Sequence, residues 1–240
     1  MPPEVFGEDY LYFYEESLSD ELSEGQAARI WEVLELTEGA EVLDVPCGHG
    51  RLANRLAARG ARVTGLDADA LFLEWARADA AERGVEVEYV QGDMRDLPWS
   101  ERFDAAVNWF TSFGYFDDAG NRAWLEAVRS TLKSGGRLAI DVHSRDAFMR
   151  HFVPASVVGR GDDLLVDRHR FDVESGRAET ERRVVRDGRV RTTAYSVRFY
   201  TYTELRDLLL DAGFAGVRGV GHDGEPLTLE SRRMIVIATR

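Results

Sequence analysis

Between residues 42 and 142, short apolar runs alternate with longer amphipathic stretches, and no other property of the chain constrains its fold as strongly. Residues 42–45, 63–66, 85–90, 103–109 and 137–142 read as buried strands. Residues 52–59, 70–83 and 121–132 read as helices, the first two closed by Gly60 and Gly84. Strands joined through helices run parallel with right-handed crossovers, so the expectation is a doubly wound α/β sheet. Upstream, Ser23 and Gln26 have capping-box spacing ahead of Ala27, Ile30, Trp31 and Leu34, which places a helix start there.

The rhythm breaks at residues 160–200. Runs 166–173, 178–185 and 190–202 are β-like, separated by Ser175-Gly176 and by Asp187-Gly188, a strong hairpin pair. They form an antiparallel meander inserted into the α/β domain. Thr203 then caps a helix over 204–211 ended by Gly213, and strands 216–220 and 233–239 close the chain.

With 240 residues, there is room for one substantial core, so residues 1–240 are expected to form a single domain. The formal charge of -13 opposes a phosphate backbone or an anionic bilayer, which excludes nucleic acid and membrane as partners at this level of reading. No basic segment precedes Arg29 and no apolar run is long enough to span a bilayer, so the expected location is the cytoplasm. Cys47 is the only cysteine, which leaves no disulfide and no cysteine-rich metal site; it is read as a small packing residue of its loop.

The first strand runs into Asp44-Val45-Pro46-Cys47-Gly48-His49-Gly50, and Gly48 to Ala53 satisfies the G-x-G-x-x-G/A fingerprint of dinucleotide sites, with Asp67 in the place of the ribose-binding acid. Glycines let backbone approach a ligand closely. Asp44 argues against a pyrophosphate, which it would repel, and for a ligand carrying an ammonium and a sulfonium. S-adenosylmethionine carries both. Asp67 then suits the ribose hydroxyls, with Ala68 beside it, while Gly92-Asp93-Met94 suits the adenine, Asp93 accepting from the amino group and Met94 lying on the ring. Acids at three successive strand ends share one edge of the sheet, where open α/β sheets bind ligands.

Together with Phe103-Asp104-Ala105-Ala106-Val107, these runs resemble the class I S-adenosylmethionine-dependent methyltransferases. Gly92 to Asp96 with Phe113-Gly114-Tyr115 is similar to bacterial small-molecule N-methyltransferases within that family. The resemblance implies a Rossmann-like seven-stranded sheet whose last strand is antiparallel, with S-adenosyl-L-methionine bound by Asp44, Pro46, Cys47, Gly48, Gly50, Asp67, Ala68, Asp93, Met94 and Asn108, and with no metal. Pro46 departs from the family pattern, where glycine or an apolar residue is commoner.

The implied activity is methyl transfer to a nitrogen or oxygen of a small-molecule metabolite. The rivals are an NAD(P)-dependent oxidoreductase, disfavoured by Asp44 and Gly92-Asp93-Met94, and a non-catalytic S-adenosylmethionine-binding protein. No Pro-Pro-aromatic motif follows the fourth strand. Phe110, Tyr115, Tyr195 and Tyr200 are the candidate acceptor contacts, with core packing the alternative for Phe110 and Tyr115. His143, just past the fifth strand, is the candidate base against a structural role. Residues 1–22 form the expected lid, with Tyr14 touching the methyl site. The meander is expected to roof the acceptor; its competing use is a dimer interface, which would make a homodimer.

Overall fold

A computed structural model describes residues 7–240, the Ser17 side chain excepted. The chain runs α1 (Glu8–Tyr14), a 3₁₀ turn (Glu15–Leu18), α2 (Asp20–Val33), β1 (Glu41–Asp44), α3 (Ala53–Ala58), β2 (Arg62–Asp67), α4 (Ala70–Arg83), β3 (Val87–Gln91), β4 (Phe103–Asn108), α5 (Asp118–Thr131) and β5 (Leu132–His143). There follow α6 (Arg145–Arg150), β6 (Ala155–Arg160), β7 (Asp163–Asp172), β8 (Arg177–Arg186), β9 (Arg189–Arg198), α7 (Tyr202–Asp211), β10 (Val217–Gly221) and β11 (Arg233–Thr239).

Seven strands form one sheet in the order β10-β11-β5-β4-β1-β2-β3. β11 is antiparallel to both its neighbours, and the other pairings are parallel. This is the Rossmann-like sheet with an antiparallel last strand that the alternation and the resemblance imply. The strand order reverses between β1 and β4, in register Val42↔Ala105, so a crevice opens at their carboxyl ends.

Strand periodicity explains the double-sided core. In β1, Val42 packs on one face with Ile30, Leu56 and Ile237. Its neighbour Leu43 points the other way, to Trp124, Leu125, Leu138 and Leu205. The α5 stripe Trp124, Leu125 and Val128 is wholly buried, which fixes that helix by the positions facing the sheet.

The second sheet, β6-β7-β8-β9, is the antiparallel insert, with four strands where the sequence suggested three. β6 pairs β7 from Ala155↔Arg168 to Arg160↔Asp163; its short run around Val157-Val158 carries too little β signal to stand out. The Asp187-Gly188 turn has φ of 53° and 68°, the left-handed pair that hairpins favour.

Two expected caps move. α2 starts a turn earlier than Ser23, with Ser19 accepting from Leu22 N–H and with Asp20 and Glu21 in the first turn, where acids suit the helix dipole. Ser23 is inside the helix, fully buried, and donates to the Leu18 carbonyl. α7 is capped by Thr201 rather than Thr203: Thr201 accepts from Glu204 N–H while Glu204 accepts from Thr201 N–H at 2.8 Å, a reciprocal box that also ends the preceding strand early.

Candidate active site

The loop from β1 to α3 is tied to both neighbouring strands. Val45 N–H donates to Val107, Cys47 N–H to the Leu66 carbonyl and Gly48 N–H to Asp67 Oδ2 at 2.8 Å. Gly48 has φ +54° with open space where a Cβ would stand. Gly50, at φ +78°, is different: a Cβ there would meet the Tyr89 hydroxyl and, at 2.7 Å, the Ala76 methyl. Gly50 therefore serves close packing of the loop on α4 and β3, and not the ligand contact expected of it.

A cavity of about 230 Å³ opens beside this loop, lined by Asp44, Pro46, Cys47, Gly48, Asp67, Ala68, Asp93, Met94 and Phe110 from the expected set. Asp44 is 2% exposed, and its Oδ2 has no hydrogen-bond partner among the described residues. Burial pushes its carboxyl up to about 7, with Arg51 opposing. Asp67 accepts from Gly48 and Asp69 N–H groups, and burial raises its pKa. Asp93 is held by the Arg95 fork, Nε to Oδ1 at 2.9 Å and Nη2 to Oδ2 at 2.5 Å, which depresses its carboxyl to about 2. Cys47 is buried and its thiol is pushed up by that burial, so it offers no thiolate.

The cavity is also lined by Trp109, Phe110 and Thr111, which follow β4. Phe110 and Thr111 both have φ +61°. Asp141 holds that left-handed pair, Oδ2 accepting from Phe110 N–H at 3.0 Å and its carbonyl from Thr111 N–H at 2.9 Å, and is itself clamped by Arg233. Left-handed backbone at two successive non-glycine residues is thus kept in place on the cavity wall by a partly buried ion pair.

Of the segment expected to be a lid, residues 1–6 lie outside the described residues; within the rest, Tyr10 lines the cavity and Tyr14 does not. Tyr10 stacks on Tyr14 with centroids 4.9 Å apart, and Tyr14 sits behind it against Arg182. Both belong to α1, where positions i and i+4 share a face.

The remaining expected residues lie outside the cavity. His143 stacks on Phe199 at 5.7 Å, with Nε2 3.3 Å from Arg233 Nη1, and burial together with that guanidinium holds it down to about 4. Asn108 is fully buried and buckles β4 to the loop by donating to the Val45 carbonyl at 2.9 Å. Tyr200 is core, stacked on Phe113 and accepting from Asn121. Tyr115 and Tyr195 stack on one another at 6.3 Å where the insert meets the main sheet. The sequence reading missed His49, Arg51 and Phe72 on the wall. Arg51 and His49 were visible as polar residues of the glycine loop; Phe72 had no signal apart from its place after the second acid.

No group of three His, Cys, Asp or Glu among the described residues is placed to hold a metal ion, and no described helix is long and apolar enough to cross a membrane.

A doubly wound sheet with a glycine loop and acids at the ends of successive strands, opening on one crevice, defines a nucleoside-cofactor enzyme of the methyltransferase type. Comparison with known proteins agrees. A methyltransferase-domain family model matches residues 42–136. The cypemycin N-terminal methyltransferase of a Streptomyces species is 30% identical over 246 residues, covering 99% of this chain and 98% of that one. Among solved structures, an S-adenosylmethionine-dependent methyltransferase from Clostridium acetobutylicum superposes with a TM-score of 0.81 at 16% identity, over 96% of this chain and 97% of that one. An amino pentose methyltransferase from Micromonospora echinaspora, solved with S-adenosylmethionine bound, gives a TM-score of 0.70 at 24% identity over 98% of both chains. The chain belongs to the class I S-adenosylmethionine-dependent methyltransferases and is an enzyme using that cofactor.

The residues fit the cofactor. The orphaned Asp44 oxygen is an acceptor in want of a cationic donor, and the open side of Gly48 leaves room at the loop for a ligand.

Proposed function

We propose that the enzyme methylates an amine nitrogen of a small molecule. The observation that carries this reading is the stretch of wall formed by Trp109, Phe110, Thr111, Ser112 and Phe116, which carries no carboxylate, imidazole or phenol to act as a base. Elsewhere on the cavity, burial holds the His49 imidazole down to about 4, which makes it a weak proton acceptor, and pushes the Tyr10 phenol up to about 12, while Asp44 is assigned below to the cofactor's ammonium. A hydroxyl acceptor needs a base to become nucleophilic; a neutral amine has its lone pair ready and sheds its proton to water afterwards. The functions of the relative matched along its whole length, an N-terminal methyltransferase, and of the amino pentose methyltransferase support the same choice.

When bound, S-adenosylmethionine supplies a methyl group already activated on a sulfonium. The protein's share is alignment and exclusion of water, worth about 7–11 kcal/mol where it is complete. In this reading Asp44 meets the cofactor's ammonium, Asp67 its ribose and Asp93 with Met94 its adenine. Trp109, Phe110 and Phe116 face the acceptor, α1 closes the cavity through Tyr10, and the insert roofs the site by carrying α1.

The test is a panel of amino sugars, peptides with free N termini and phenols, read by S-adenosylhomocysteine release. Turnover of amines, rising with pH as the acceptor loses its proton, is the expected result. Turnover of phenols with none of amines overturns the proposal.

A further inference from the structure

Among the described residues, Arg51 is a buried cation without an anion within ion-pair distance. It sits two residues before α3, is 8% exposed, and lines the cavity. The other buried arginines each have a carboxylate: Arg55 is bound to Asp20, and Arg182 to Asp167. Arg51 has none within 4.0 Å among the described residues. Its Nη1 donates only to uncharged oxygens, Gln26 Oε1 at 2.7 Å and Ser23 Oγ at 3.3 Å. Those two bonds, with the Phe110 ring 5.2 Å from the guanidinium carbon, fix the plane of the group. A guanidinium taken out of water and held rigidly wants an anion, and its fork matches a carboxylate.

Asp44, on the same wall and within electrostatic reach of Arg51, shows the converse defect: a buried carboxylate oxygen without a donor. The two defects are complementary to one zwitterion. We infer that Arg51 binds the α-carboxylate at the methionine end of the cofactor while Asp44 meets the ammonium, so that the pair recognises the amino-acid part as a unit. The inference rests on the cofactor placement proposed above and is independent of which atom is methylated. It also accounts for Ser23 and Gln26: they are the mounts of Arg51, which is why a pair spaced like a cap is found inside a helix.

Calorimetry tests it without turnover, using S-adenosylhomocysteine, its decarboxylated analogue and 5′-methylthioadenosine, which lacks the amino-acid part. Arg51→Gln should weaken S-adenosylhomocysteine by about tenfold to a hundredfold. The same variant should bind methylthioadenosine as the wild type does, which shows that the nucleoside site is folded and that the cofactor placement stands. The decarboxylated analogue should lose less than about threefold. Equal losses on all three ligands, or no loss on S-adenosylhomocysteine, overturn the assignment. Should Arg51→Gln fail to fold, the wild type decides alone: it must prefer S-adenosylhomocysteine to the decarboxylated analogue by about tenfold or more, and equal affinities refute the role of Arg51. Failure of the wild type to bind methylthioadenosine would instead count against the cofactor placement itself.

Discussion

The Arg182 guanidinium donates a 3.0 Å hydrogen bond to the Tyr14 hydroxyl, from a strand of the insert to the helix that carries Tyr10 to the cavity beside the glycine loop. The same nitrogen, Nη2, is 3.2 Å from the Tyr195 hydroxyl and 2.7 Å from Asp167, whose side chain is 5% exposed. Farther along α1, Asp9 pairs with Arg186 at 3.0 Å and Arg191 at 2.5 Å, and Phe13 packs on Leu165 and Val184. The helix therefore docks on the insert, which fixes where α1 and its Tyr10 stand.

Tyr14→Phe removes one hydrogen bond and keeps the ring, so stability should fall by about 1 kcal/mol. Hydrogen exchange in α1 should speed up while the main sheet stays protected, and the cofactor dissociation constant should rise about three- to tenfold. Arg182→Met is the harsher variant, since it leaves Asp167 buried without a partner and should cost about 3–5 kcal/mol. Unchanged exchange in α1 of Tyr14→Phe would show that the helix is held by other contacts.

The two loop glycines should separate binding from folding. Gly48→Ala meets no protein atom, so it should fold with a loss of about 1–2 kcal/mol from its left-handed φ, and should weaken the cofactor as the methyl enters the ligand's space. Gly50→Ala collides with Ala76 and the Tyr89 hydroxyl, which bonds Asn54 at 2.6 Å, and should lower the melting temperature far more. Thermal unfolding and calorimetry on both variants check this; Gly50→Ala melting with the wild type would mean that the loop can shift off α4.

The main sheet was legible because most of its strands are apolar runs next to helix signals, and the gathering of Asp44, Gly48, Asp67 and Asp93 on one cavity was legible because the strand ends of a doubly wound sheet share an edge. What stayed hidden was direction. Tyr10, Tyr12 and Tyr14 look alike in sequence, and only knowledge that they lie on a helix separates Tyr10 and Tyr14 from Tyr12, which packs against Arg160 and Arg186. Tyr200 and Asn108 sit near strand ends like the true wall residues, yet their side chains turn into the core. Nothing in the sequence singled out Arg51 from the other arginines, since pairing is a property of three dimensions.

Asp44 gives the site a pH dependence of definite sign. Its carboxyl stands at about 7 in the folded chain and near 4 when unfolded, so the folded state holds the extra proton between those values. Stability without cofactor should fall as pH rises across that window, by up to about 1.4 kcal/mol per unit from this group. Affinity for S-adenosylhomocysteine should move the opposite way, rising up to about pH 7 as the carboxylate forms and levelling above it. Asp44→Asn should bind weakly with a flat profile, and should be less destabilised by rising pH. A wild-type affinity constant from pH 5.5 to 8.5 would remove Asp44 from the cofactor site.

His143 provides the sharpest contrast between position in sequence and position in space. It follows β5 at the ligand edge of the sheet, where a base for the acceptor would stand, and a base there would make His143→Ala lose about 10² to 10⁴ in kcat. Its ring instead stacks on Phe199 and lies against Arg233, and it is absent from the cavity wall. The variant should keep at least about a third of wild-type kcat and bind the cofactor normally, while losing about 1–2 kcal/mol of stability with the ring contact. The titration agrees with a packing role. The folded chain holds the imidazole at about 4 and the unfolded chain near 6.5, so the unfolded state binds the extra proton in between and stability should rise with pH across that window. His49, also held at about 4, adds to the same slope, so His143→Gln should reduce the slope without abolishing it. Unfolding measured from pH 4 to 7, beside turnover of an amine acceptor, separates the two roles. A hundredfold fall in kcat at unchanged cofactor affinity would make His143 the base after all, and would require the ring to leave Phe199 when the acceptor binds.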